Sequence, residues 1–123
     1  MTPLGILLRG AGHEPAHYAL VLGTAAAAIG RPVTLFATNA GLALFRRDAP
    51  LLSDPREALL AERGVAGIGT LLEAAADLGL RFVACEAGMR AEAVQADALL
   101  QGVEVAGVVT FLEAVGPGNA LSL

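Results

Sequence analysis

Lysine is missing altogether: all eight basic residues of this 123-residue chain are arginine. That excludes a P-loop lysine, a Schiff base and a lysine general base. Cysteine occurs once, at Cys85. An internal disulfide is therefore impossible, as is any zinc or iron–sulfur site built from several thiolates. Tryptophan is absent and aromatics make up 4% of the chain, too few for a base-stacking surface. A net charge of −4 also argues against nucleic acid, because phosphate binding needs a basic excess.

Apolar residues, by contrast, are abundant. They form 55% of the chain, and the mean hydropathy is +0.64. A membrane span needs ~20 apolar residues in a row. The longest charge-free stretch, Pro15 to Gly30, falls short and contains His17 and Gly23. No basic stretch precedes an apolar one at the N-terminus, so no signal peptide is expected. The expectation is a soluble, cytoplasmic protein without membrane contact, and one unpaired cysteine suits a reducing compartment. The length fits one domain, 1–123, with a single core.

Short apolar runs alternate with longer Ala/Leu-rich segments. Strands are expected at Pro3–Leu8, Val33–Ala37, Leu80–Ala84, Val103–Ala106 and, at an edge, Ala120–Leu123. Helices are expected from about Ala16 to Ile29, with Pro15 at the start and Gly30 at the stop, and at Ala40–Phe45, Ile68–Leu78, Met89–Leu100 and Val108–Val115. Ser53-Asp54-Pro55 opens a short helix ending near Arg63. Strands separated by helices imply βαβ units and a parallel sheet, and their unalternating apolar runs imply cover on both faces. Between Ala19 and Ile29 the first helix carries no charge on any face. A helix apolar all round is buried all round. A subunit interface would bury its outer face; cover by residues 46–63 is the alternative.

Three signals fall at the carboxyl ends of strands, where open α/β sheets bind ligands. Arg9-Gly10-Ala11-Gly12-His13-Glu14-Pro15 begins like a dinucleotide fingerprint, but Pro15 replaces the third glycine. Thr38 and Asn39 stand where an acidic ribose ligand would be needed, so no nucleotide cofactor is expected. His13-Glu14-Pro15-Ala16-His17 matches H-E-x-x-H, whose zinc chemistry requires both histidines one turn apart on a continuous helix. Pro15 belongs at a helix start, which leaves His13 in the preceding loop and no metal site. His13 then either caps the helix as part of a polar loop or lines a ligand crevice.

Cys85 is the third signal. It stands where the third strand gives way to the next helix, in Phe82-Val83-Ala84-Cys85-Glu86-Ala87-Gly88-Met89-Arg90. Backbone amides and the helix dipole favour a thiolate there, with Arg90 helping and Glu86 opposing. The competing reading is an inert, buried cysteine.

The opening strand, the apolar first helix, V-T-L-F-A-T-N-A-G-L-A-L-F at Val33–Phe45 and F-V-A-C-E-A-G-M at Phe82–Met89 together resemble the DsrE/DsrF-like proteins, which include the TusD-type sulfur-relay subunits. The resemblance covers nearly the whole chain. It implies a flavodoxin-like α/β three-layer sandwich with a mainly parallel five-stranded sheet in the order 2-1-3-4-5, assembled as a homo-oligomer, a trimer or hexamer. It also implies a sulfur carrier or sulfurtransferase that holds sulfur as a persulfide on Cys85, receives it from a donor protein and gives it to an acceptor. No cofactor or metal is implied. In that strand order the first and third strands are neighbours. Arg9 and His13 would then face Cys85 across the crevice, with Asn39, Gly88 and Met89 completing a substrate site. The rival reading is a non-catalytic scaffold or small-ligand-binding oligomer of the same fold.

Overall fold

Five short segments pair into one all-parallel sheet with helices on both faces; the central strands are apolar and buried, while the edge strands β4 and β5 stay largely exposed. The computed structural model describes residues 1–123. The chain runs through β1 (Leu4–Leu8), α1 (His13–Ala28), β2 (Val33–Ala37), 3-10 helices at Asn39–Phe45 and Pro50–Ser53, α2 (Pro55–Glu62) and α3 (Ile68–Asp77). It continues through β3 (Arg81–Cys85), α4 (Glu86–Ala91), a 3-10 turn at Ala96–Ala98, β4 (Glu104–Ala106), α5 (Val108–Val115) and β5 (Asn119–Ser122). No helix is long and apolar enough to cross a membrane.

The parallel α/β class is as the sequence implies, but the strand order is β4-β3-β2-β1-β5 rather than 2-1-3-4-5. The chain winds outward from β1 through β2 and β3 to β4, then returns across the sheet to lay β5 on the free side of β1. All five residues of β2 are buried, which suits a central strand with neighbours on both sides. Apolar runs such as Leu4–Leu8 and Val33–Ala37 show that strands are covered but not which strand lies beside which. The correction matters, because β2 now separates β1 from β3.

The two faces are covered unequally. Leu4, Ile6 and Leu8 of β1 point with Leu35 and Ala37 of β2 into the larger core. There they meet Ala16, Ala19 and Leu20 of α1 and Ile68 and Ala75 of α3. α3 packs along α1 and buries part of its flank, while Glu14, Tyr18, Ala25 and Ala28 of α1 stay exposed. Ile29, just beyond the helix, is exposed as well. The opposite sheet face holds Phe36, Val83 and Cys85 beneath Phe111 and Val115 of α5 alone. Phe36 and Phe111 meet with ring centroids 5.1 Å apart. Val108, Val109 and Leu112 on the outer side of α5 remain exposed.

Two expected elements differ in extent. The Met89–Leu100 helix is instead the six-residue α4, which ends at Ala91; Ala93 has a positive φ of 55° that ends the helical path. α1 starts at His13, not near Ala16. Pro15 is its third residue, where the missing N–H has no helical partner to lose.

α5 reaches the sheet through Gly5, the one residue of β1 without a side chain at that contact. A Cβ on Gly5 would fall among the side chains of Val115 and Phe111. Gly5→Ala should therefore destabilise the fold by about 1–3 kcal/mol, the usual cost of overpacking a tight contact. A lowered midpoint in urea unfolding with an unchanged slope checks it; an unshifted midpoint contradicts the packing described.

Candidate functional site

Cys85 is the last residue of β3 and the N-cap of α4. Its Sγ accepts a hydrogen bond from the Gly88 N–H at 3.4 Å, which satisfies one of the first-turn amides of α4. The side chain lies on the α5 face, in contact with the smaller core, and the residue is 8% exposed. On the neighbouring strand, Cys85 pairs in register with Ala106.

Gly88 explains how α4 comes so close to β2. A Cβ there would collide with Thr38 Oγ1 and the Asn39 backbone N. Thr38 follows β2 directly and donates its hydroxyl hydrogen to Asn39 Oδ1 at 3.0 Å. Asn39 turns the chain with a φ of 52°, a conformation asparagine tolerates better than most residues. Cys85, Gly88, Thr38 and Asn39 thus gather at the carboxyl ends of β2 and β3. Asn39 and Gly88, both expected in a substrate site, lie at this edge, but without Arg9 and His13 opposite; Thr38 was noted only as non-acidic. Met89, also expected in the site, is buried and turns its side chain into the larger core.

Arg9 and His13 do not face Cys85, because β2 intervenes. Arg9 is exposed at the end of β1, where its backbone N–H donates to the Leu123 carbonyl at 2.8 Å. His13 is not in a loop: it and His17 lie one turn apart on α1, with stacked rings 5.6 Å between centroids. The H-E-P-A-H spacing is therefore helical after all. Even so, no group of three His, Cys, Asp or Glu side chains is arranged to hold a metal.

His13 is engaged elsewhere. Its Nε2–H donates to Glu57 Oε2 at 2.5 Å, and its Nδ1 is buried without a partner. His17 donates from Nε2 to the Ala66 carbonyl at 2.8 Å. Glu57 also accepts from the Ile68 N–H at 3.0 and 3.1 Å, a carboxylate placed at the N-terminus of α3. Burial raises the Glu57 pKa, but the bonds from His13 and Ile68 outweigh it and hold the carboxyl below its ordinary value. Sequence reasoning missed Glu57. Asp54-Pro55-Arg56-Glu57 has the spacing of a capping box, in which Glu57 would bend back onto the N-cap N–H. Asp54 does cap α2 by accepting from the Arg56 N–H at 2.8 Å, but Glu57 turns away to α1 and α3.

Two open clefts flank α4. One, of about 400 Å³, is lined by Glu86, Met89, Arg90, Val94, Gln95 and Val105 among others. The other, of about 380 Å³, includes Asn39, Ala43, Arg46, Asp48 and Glu92. Arg46 forms two hydrogen bonds to Asp48, at 2.9 and 3.0 Å, which lower the Asp48 pKa and leave this cleft without a free cation at that point. Cys85 lines neither cleft.

These observations define a doubly wound parallel α/β protein with one cysteine at the carboxyl edge of its sheet. The family model described as DsrE/DsrF/DrsH-like matches residues 52–120, and the chain belongs to that family. The structure of the ychN protein from E. coli superposes with a TM-score of 0.70 at 16% identity, each chain covered over 100% of its length. MTH1491 from Methanobacterium thermoautotrophicum, described as a protein of unknown function, gives a TM-score of 0.59 at 19% identity, again with 100% of both chains covered. At those identities the likeness is one of fold. No curated protein matches the chain in sequence.

Two expectations follow. Gly88→Ala should cost about 1–3 kcal/mol, because neither Thr38 nor the Asn39 backbone can move without disturbing β2; equilibrium denaturation reads it, and an unchanged midpoint contradicts the close approach. Glu57, with its folded pKa below the unfolded one, contributes stability that is present above the unfolded value and lost as pH falls through the folded value. Asp48 and Glu104 are shifted the same way by Arg46 and Arg81. The Glu57 share is therefore read by difference: Glu57→Gln should lose less stability than wild type between pH 7 and the acid range. Parallel pH profiles for the two proteins would contradict the assignment.

Proposed function

We propose that this protein is a sulfur carrier of the relay type, with Cys85 as the group that holds the sulfur. The observation that carries the reading is the position of Sγ, at the end of β3 and hydrogen-bonded to the Gly88 N–H of α4. An anionic sulfur formed there has a backbone donor and the start of a helix beside it. Family membership supports the same reading.

The chemistry needs one thiolate and no oxidant. The Cys85 thiolate attacks the outer sulfur of a donor persulfide. A new S–S bond forms at Cys85 while the donor's S–S bond breaks, and the donor leaves as its thiolate. An acceptor thiolate then attacks the outer sulfur, takes it as a persulfide and returns Cys85 to the thiolate. Donor and acceptor thiols belong to partner proteins, which suits a chain with no second cysteine. The reading places the protein in a reducing cytoplasm and as a homo-oligomer, a trimer or hexamer; the exposed apolar row Val108, Val109 and Leu112 on α5 supports self-association.

A second reading, a non-catalytic ligand-binding or scaffold oligomer, is favoured by one observation: Cys85 is 8% exposed and lines neither cleft. Incubation with a persulfide donor followed by intact-mass measurement separates the two. The carrier gains one sulfur, loses it to reductant and gains none as Cys85→Ala. An unchanged mass across protein and low-molecular-weight persulfide donors supports the scaffold instead.

A further inference from the structure

Residues 54–67 make a long excursion between the second 3-10 helix and α3, and not one of them is buried. α2 lies wholly within it and contributes nothing to either core. Leu59 and Leu60 are only half-buried. Two side-chain hydrogen bonds tie this excursion to α1: His13 to Glu57, and His17 to the Ala66 carbonyl. The chain has two histidines, and both are used here. Glu57 makes the additional bond to the Ile68 N–H that fixes the excursion to the start of α3. The latch is compact. Glu57 is 19% exposed at its side chain and His13 2%, and a Cβ on Gly67 would press on Glu57 Oε1 at 2.7 Å.

We infer that residues 54–66 form a strap, latched onto α1 and α3 by the Glu57 carboxylate, that opens as a unit while the sheet stays folded and so uncovers the His13–His17 pair. The energetics favour such an opening. Local opening needs few buried apolar contacts to break, and this segment has none that are fully buried. What resists opening is the charge-assisted set of bonds on Glu57 in a partly desolvated site, with the neutral His17–Ala66 bond as a weaker tie. The groups set against Glu57 are His13, with His17 stacked behind it, from α1, and the uncharged N–H groups of Ile68 and Gly69 from α3. α2 itself adds exposed Arg56 and Glu62. Protonation of Glu57 removes the charge that all these donors share, so acid opens the strap from the carboxylate side. The device is independent of sulfur chemistry at Cys85, which lies beyond β2 on the opposite sheet face.

Hydrogen exchange of the full chain, read by mass spectrometry on peptides, tests this. In wild type, residues 54–66 should exchange well ahead of β1, β2 and β3, and Glu57→Ala should speed exchange in 54–66 by roughly tenfold to a hundredfold, the worth of a hydrogen bond to a charged group, with 54–66 still ahead of the sheet. Glu62→Ala, on the same helix but outside the latch, should exchange as wild type. Wild type brought below the carboxylate range, after correction for intrinsic exchange, should show the Glu57→Ala pattern. If Glu57→Ala does not fold, Gly67→Ala carries the test, since its methyl displaces the carboxylate without removing it. Exchange in 54–66 that Glu57→Ala leaves unchanged, or that in wild type is as slow as in the sheet, overturns the inference.

Discussion

Everything at the carboxyl edge of this sheet depends on β2 being the strand buried at every residue. It takes the centre, receives β1 on one side and β3 on the other, and delivers Thr38 and Asn39 to the place where α4 begins. Gly88 then lets α4 lie against that edge. Cys85, one turn earlier, is held at the N-cap with its sulfur on a backbone donor. A side chain at Gly88 would force α4 away and carry Cys85 with it, so the geometry at the sulfur is a consequence of packing two strands away from β1.

The asymmetry of the two faces has a second consequence. One face is a broad core with α1 and α3 side by side; the other is a small cluster under the single helix α5. The sulfur sits on the thinly covered face, near α5, whose Val108, Val109 and Leu112 are exposed. The imidazole–carboxylate latch sits at the other end of the chemistry, above α1. The fold thus keeps its two notable polar constellations apart, one per face, rather than joining them in one crevice.

The sequence was most legible where local signals decide. Val108–Val115 is helical to the residue, Pro55 and Asp54 start α2 as their types require, and Cys85 stands at the end of β3. It was least legible where the answer depends on neighbours. Leu4–Leu8 and Val33–Ala37 are both apolar runs, and nothing in either says which of them borders Arg81–Cys85; that choice separated His13 from Cys85. Pro15 misled for a related reason. Proline excludes a helix interior, but two residues of helix can precede it within the first turn, and that turn carries His13. Glu57 was hidden in a polar stretch whose capping-box spacing pointed it to the wrong N–H.

The central claim is that Cys85 passes sulfur on, and transfer tests it more directly than loading. Protein carrying labelled sulfur on Cys85, freed of donor, is mixed with a cysteine-bearing acceptor protein, and the label and the free Cys85 thiol are followed together. The account predicts that label appears on the acceptor cysteine as Cys85 returns to the free thiol in equal amount. Label that stays on Cys85, or leaves only as free sulfide when reductant is added, would contradict it.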